Sequence, residues 1–328
     1  MLDNLVGVEI RRELQPYDPI SPRTALTIGA YDGVHSGHRQ VIAAVRRLAA
    51  ERSMTSAVLT FDRHPASVVR PESAPLLLTD SDQKLEQLAS TGIDLSLVLS
   101  FDEVRATESA EDFVRHVLVG CAGVGLIVVG EDFHFGHRRR GNVSLLREMG
   151  TDLGFEVFGI GLVGPDGLVA RDHEQVSSTF IRRALARGDL ERANAMLGRT
   201  YEVRGLLKSR NWGDPELDSG MANFLVDELI LLPEDAVYAG WCEEPDGLIY
   251  GAVISVGTGL SPDGTNSRSV EVFCLETTSS NNNEFELSNE LTRVRFVRRL
   301  RSQYNLKSPE AWINQFHIDV SDTRSALV

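Results

Sequence analysis

The chain is poor in cysteine, poor in positive charge and without a long apolar run, and each shortage closes off a class of function. Its three cysteines, Cys121, Cys242 and Cys274, are far apart and odd in number, with no Cys-x-x-Cys or His/Cys ligand spacing. That excludes a disulfide framework and a zinc site, and leaves reduced, buried thiols. Lys and Arg total 33 against 47 Asp and Glu, a net charge of −14, which argues against a nucleic-acid surface. An anionic ligand must therefore be gripped by a local cluster of donors against the overall field. No stretch reaches the roughly 18 apolar residues of a membrane span. Residues 1–22 carry Asp3, Glu9 and Glu13 and have no signal-peptide core, so a cytoplasmic protein without membrane association is expected. There is no internal repeat, and nothing in the pattern specifies an oligomeric state.

What is present is ordinary in amount, 42% hydrophobic and 24% charged residues, and ordered in pattern. The length of 328 residues suggests two domains. From residue 24 to about 187, short apolar runs alternate with amphipathic helices. Residues 24–30, 56–61, 94–100, 125–130 and 156–162 read as buried strands. Val41, Ile42, Val45, Leu48 and Ala49 recur at helical spacing, and Ser109 to Asp112 resembles a capping box ahead of Phe113, Val114, Val117 and Leu118. This alternation predicts a doubly wound α/β domain with a parallel sheet, spanning residues 1–187, with ligands at the carboxyl ends of its strands. After a helical stretch over 178–198 the rhythm changes. Residues 201–207, 223–229, 236–241, 248–256, 269–275 and 291–297 read as six strands. Ser308-Pro309 starts a closing helix whose apolar face includes Trp312, Ile313 and Phe316. Residues 188–328 are thus predicted to be a small antiparallel β-barrel with a C-terminal helix. The Ser- and Asn-rich stretch 276–290 reads as a flexible loop.

The first strand runs into Gly29-Ala-Tyr-Asp-Gly-Val-His-Ser-Gly-His38. Gly29 and Gly33 permit a tight turn and close approach to a ligand. The helix beginning near Gly37 points its free amides and positive dipole end above the sheet. His35 and His38 flank a glycine, so both imidazoles can face one anion, an arrangement suited to phosphoryl chemistry. Composition alone supplies such a His-x-Gly-His tetrad with a probability of about 1–2%.

This segment resembles the opening motif of the prokaryotic bifunctional riboflavin kinase/FAD synthetases, within the wider His-x-Gly-His nucleotidyltransferases. Three further segments are similar in order: Phe61-Asp-Arg-His-Pro65, with Arg63 in place of a proline; Gly130-Glu-Asp-Phe-His-Phe-Gly136, followed by Arg139 and Gly141; and Val176-Ser-Ser-Thr-Phe-Ile-Arg182. The resemblance implies transfer of AMP from ATP to FMN. His35, His38 and Arg182 would stabilise charge on the phosphoryl oxygens, Ser178 would join them, and Mg²⁺ would bridge the triphosphate. Ser177, Ser178 and Thr179 precede a helix and form an anion site, and Arg182 can fork onto phosphate oxygens one turn on. Phe133 and Phe135 alternate with polar residues, so one could line a flavin or adenine pocket while the other is core. Tyr31, Asp132 and Arg139 fall within the matching motifs. His64 could meet phosphate or be structural, and Asp32 could contact nucleotide or metal, or serve an Asp-Gly turn.

In the barrel the resemblance implies a riboflavin kinase, with Asn223 in the phosphate segment and Glu271 as the general base for the riboflavin hydroxyl. The phosphate segment departs from the family pattern. Met221 stands where the family has a threonine that binds Mg²⁺ and phosphate, and a thioether is a poor ligand for a hard cation. Gly220 replaces a proline, and Asp214, Glu216 and Asp218 add negative charge there. The expectation is an FMN adenylyltransferase whose kinase activity is weak or lost. The competing readings are a fully bifunctional enzyme, a paralogue using a modified flavin or another nucleotide, and a non-catalytic flavin-binding protein.

Overall fold

The structure is a computed structural model that describes residues 4–5, 7–161, 176–209, 221–260, 266–275, 291–303 and 308–328. The chain separates into two compact units, Met1–Ser178 and Thr179–Val328.

The first unit is a seven-stranded sheet between two layers of helices. Its strands are β1 (Asn4–Leu5), β2 (Val8–Arg11), β3 (Thr24–Ile28), β4 (Thr55–Phe61), β5 (Leu95–Leu99), β6 (Val124–Gly130) and β9 (Glu156–Ile160), in the order β1-β2-β5-β4-β3-β6-β9. Only β1 runs antiparallel to its neighbour; β2, β5, β4, β3, β6 and β9 pair in parallel. Every residue of β3 and β5 is buried, as strands covered on both faces require. One core layer contains Leu26, Leu59, Phe113 and Ile127, and the other contains Ile42, Val45, Val58 and Val128. The doubly wound α/β expectation holds.

Helices α1 (Ser36–Glu51), α2 (Pro65–Val69), α3 (Ser81–Ala89), α4 (Glu103–Thr107), α5 (Ala110–Asp112) and α6 (Val143–Leu153) connect these strands. Ile42, Val45, Leu48 and Ala49 are the buried face of α1. Ser109 caps α5 by accepting from the Asp112 amide at 3.0 Å, after which Phe113–Val119 winds on as a wider π-helix. One strand departs from expectation. β9 is the sheet edge, and none of its residues is buried, because it has a partner on one side only. A small hairpin, β7 (His134–Phe135) with β8 (Gly141–Asn142), follows β6. From β3 the chain goes to β4 and β5 on one side and then crosses to β6 on the other, so the order in which strands are added reverses between β3 and β6. Ligand crevices open at such points, outside the strands' carboxyl ends.

In the second unit the predicted single helix is two, α7 (Ser178–Ala186) and α8 (Leu190–Leu197). The chain breaks at Gly188, whose φ is +69°, and Asp189 caps the next helix. The six predicted strands are all present as β10 (Tyr201–Ser209), β11 (Met221–Val226), β12 (Ala236–Glu243), β13 (Ile249–Leu260), β14 (Asn266–Cys274) and β15 (Leu291–Ser302). They close into an antiparallel barrel in the order β10-β11-β14-β13-β12-β15. The last helix, α9 (Pro309–Ala326), is capped by Ser308. It lays Phe316 edge-on against Phe273, with Trp312 stacked on Phe316. The 276–290 stretch lies outside the described residues.

Candidate active site

The loop from β3 to α1 is built by backbone that most residues avoid. Tyr31, Val34 and Gly33 all have positive φ (52°, 34° and 81°), a strain that clusters at functional sites. A Cβ on Gly29 would sit 3.1 Å from the buried Tyr31 ring, so glycine there leaves the ring its room. Tyr31 is buried, and its hydroxyl shares a 2.8 Å hydrogen bond with Thr27. Burial raises its pKa well above the ordinary tyrosine value.

This loop delivers the two histidines together. His35 is the N-cap of α1, its Nδ1 accepting from the His38 amide at 3.3 Å. The two imidazoles stack 15° from parallel with centroids 3.6 Å apart, and Tyr31 leans on His38 at 4.8 Å. Burial, and then the neighbouring His35, hold the His38 pKa well below the ordinary histidine value. Nδ1 of His38 is one of a few buried side-chain polar atoms, among the described residues, with no hydrogen-bond partner. A buried acceptor or donor left open at a helix N-terminus is what a ligand oxygen would complete.

The fourth motif meets this loop at Ser178. Ser178 donates its hydroxyl to the Asp32 carbonyl at 2.9 Å, which ties the start of α7 to the histidine loop. Ser177 is half-buried just before it. Thr179 and Arg182 follow on α7 and belong to the second unit, Arg182 half-buried one turn into the helix. Asp32 is held by a segment more than forty residues away in sequence. Its buried carboxylate accepts from the amides of Leu78 (2.9 Å) and Thr79 (3.2 Å) and from the Thr79 hydroxyl, while the Gly33 amide donates to that hydroxyl. No group of three or more His, Cys, Asp or Glu among the described residues is placed to hold a metal ion.

Beside the loop lies a largely apolar cavity of about 690 Å³. Gly29 borders it, together with Phe61, His64, Phe101, Phe133, Phe135, Arg138 and Arg139. Phe133 and Phe135 stack with centroids 5.6 Å apart, and both reach the cavity, although Phe135 is also core against Phe113. His64 caps α2, its Nδ1 accepting from the Ala66 amide at 3.1 Å, and borders the cavity. Arg138 and Arg139 are consecutive residues with φ of 54° and 58°, held at the cavity by the turn that starts at Gly136. Asp132 is exposed and does not line the cavity; its carbonyl pairs with Nδ1 of His134. Sequence reasoning did not single out Phe61, Phe101 or Arg138 as cavity residues. Phe61 and Arg138 lie inside the quoted motifs, whereas Phe101 carries no local signal.

In the barrel, Asn223 on β11 and Glu271 on β14 are directly opposite partners in the antiparallel ladder, and Met221 opposes Phe273. Residues 213–220 lie outside the described residues.

Comparison with known proteins matches residues 18–180 to the family described as FAD synthetase and residues 197–327 to the family described as riboflavin kinase. A curated bifunctional riboflavin kinase/FMN adenylyltransferase of Pseudomonas fluorescens is 30% identical over 318 residues, covering 97% of each chain. Its namesake in Haemophilus influenzae is 27% identical, covering 97% of this chain and 99% of the relative. A solved structure titled macrolide-efflux protein from Streptococcus pneumoniae superposes with a TM-score of 0.80 at 22% identity, over 97% of this chain and 99% of that one, a likeness of fold.

Proposed function

Because the chain belongs to the bifunctional riboflavin kinase/FMN adenylyltransferase family, we propose that its first unit makes FAD by transferring AMP from Mg-ATP to FMN. An oxygen of the FMN phosphate attacks the α-phosphorus of ATP in line, the bond to the bridging oxygen breaks, and pyrophosphate leaves. The observation that carries this reading is the open Nδ1 of His38, stacked on His35 at the start of α1. No side chain acts as nucleophile. The histidines and the α1 amides meet charge on the phosphoryl oxygens, and Arg182 and the Ser177–Thr179 hydroxyls take the triphosphate. The apolar cavity suits the flavin ring, between Phe61 and the Phe133/Phe135 pair, with Arg138 and Arg139 toward the FMN phosphate. Magnesium travels with ATP as part of the substrate and would use triphosphate oxygens and water for most of its ligands. ATP and FMN as substrates suit a cytoplasmic location.

Riboflavin phosphorylation by the barrel is weak or absent in this reading, because Met221 offers no hard oxygen and Asp214, Glu216 and Asp218 would repel phosphate. The opposed Asn223 and Glu271 favour a second reading, in which the kinase works despite Met221. One experiment separates them: chromatography of products after incubation with Mg-ATP and either FMN or riboflavin. FAD from FMN alone supports the first reading. FMN and FAD from riboflavin support the second, and no product from either overturns both.

A further inference from the structure

Lys84 is a charged residue that the adenylylation chemistry leaves without a task. It stands on α3 with 8% of its surface exposed, although an ammonium is expensive to bury. Its Nζ donates to the Phe61 carbonyl at 2.5 Å, at the end of β4. The charged groups facing it are Asp32 from the histidine loop, Asp62 beside Phe61, and Arg12 beyond β2. Burial pushes its pKa down to about 8 while the two carboxylates hold it up, so at neutral pH it is mostly charged.

The segment that carries Lys84 is a strut between the two halves of the site. At one end Leu78 and Thr79 grip Asp32 and Gly33. A reciprocal capping box, Asp80 with Gln83, then stiffens the first turn of α3. At the other end Lys84 holds Phe61, whose residue borders the cavity.

We propose that Lys84 is a positioning residue for adenylyl transfer: it fixes the spacing between the histidine loop and the flavin cavity, and offsets the charge of Asp32 and Asp62 beside two anionic substrates. The inference rests on the adenylylation reading above. Each substrate keeps its own loop when Lys84 is lost, so alignment suffers more than binding.

The test is steady-state kinetics of FAD formation by the full chain and by Lys84→Met. A displacement on the order of 1 Å costs about 100-fold, so kcat should fall by about 10- to 100-fold while KM for FMN and for Mg-ATP each move by less than about threefold. Unchanged kcat, or a loss confined to KM, overturns the proposal. Should Lys84→Met fail to fold, Lys84→Arg decides. The charge is kept but the longer planar head displaces the Phe61 carbonyl, so kcat drops several-fold at constant KM, and a wild-type kcat overturns the proposal. A wild-type chain that binds FMN, by flavin fluorescence, yet forms no FAD removes the adenylylation reading and this inference together. Wild-type turnover with an unaffected Lys84→Met removes this inference alone.

Discussion

The rings of His35 and His38 lie 15° from parallel with their centres 3.6 Å apart, closer than two imidazolium cations could stay without a counter-anion. The buried His38 accordingly has a folded-state pKa well below 6.5, through burial first and His35 second. Between that value and 6.5 the unfolded chain binds more protons than the folded one, so stability from this group is complete above pH 6.5 and is lost as pH falls through the window. An anion on the pair acts in the opposite sense and raises the pKa. Mg-ATP binding near pH 6 should therefore take up protons, read by calorimetry in two buffers of different ionisation heat. His38→Asn should reduce that uptake and flatten the acid side of the Tm profile; equal uptake by both proteins would show that the pair is not the anion site.

Asp32 gives a second prediction, because its carboxylate accepts from Leu78 and Thr79. Asp32→Asn keeps the shape but weakens charge-assisted acceptance from two buried amides, a loss of about 1–3 kcal/mol. Thermal unfolding should register it as a lowered Tm. The Mg²⁺ concentration for half-maximal FAD formation should stay where it is in the wild type. A large shift in that concentration at constant Tm would restore the metal-contact role.

Both architectures were legible in the sequence because they rest on repeated local signals. Continuous apolar runs marked the central parallel strands, and turn-rich spacing marked all six barrel strands. Edge position was not legible, since β9 has the same apolar look as β6 and differs only in lacking a neighbour. The break at Gly188 was missed because one glycine in a helical pattern is tolerated as often as it terminates. In the site, His35 and His38 were readable from a motif that sits on one turn. Lys84 and Phe101 were not, since what connects them to the cavity is contacts between distant segments. The anchoring of Asp32 by Leu78 and Thr79 was not legible either, because these partners lie 46 and 47 residues away in sequence.

Gly136 offers a test of the cavity wall. Its φ is +70°, and a Cβ there would sit 2.7 Å from the Ala110 Cα and 2.8 Å from the Ala110 nitrogen. Neither atom is a movable side-chain end, so Gly136→Ala should cost about 2 kcal/mol or more. It should also displace Phe135, Arg138 and Arg139, weakening FMN binding by about tenfold or more, roughly 1.4 kcal/mol. Gly154→Ala is the control: φ is +77° with nothing within 4 Å of the new Cβ, so stability falls by about 1 kcal/mol. FMN titrations should be unaffected. Equal effects of the two changes on FMN binding would deny the 136–139 turn a part in the cavity.

The barrel supplies the last prediction. Asn223 and Glu271 are directly opposite partners in the β11–β14 ladder, the positions to which the kinase reading gives the phosphate segment and the general base. Met221 lies two residues before Asn223 on the same strand. A thioether there withholds the hard oxygen that a magnesium–phosphate complex prefers. Met221→Thr should therefore raise riboflavin phosphorylation by about tenfold or more, given that one well-placed ligand to transition-state charge is worth several kcal/mol. Product is counted as FMN plus FAD formed from riboflavin, because the first unit consumes FMN as it appears. Adding Glu271→Gln should abolish the gain while leaving FAD formation from FMN at the wild-type rate. If Met221→Thr changes nothing, the barrier lies instead in the acidic 213–220 stretch, and exchanging Asp214, Glu216 and Asp218 for neutral residues becomes the change that restores the kinase.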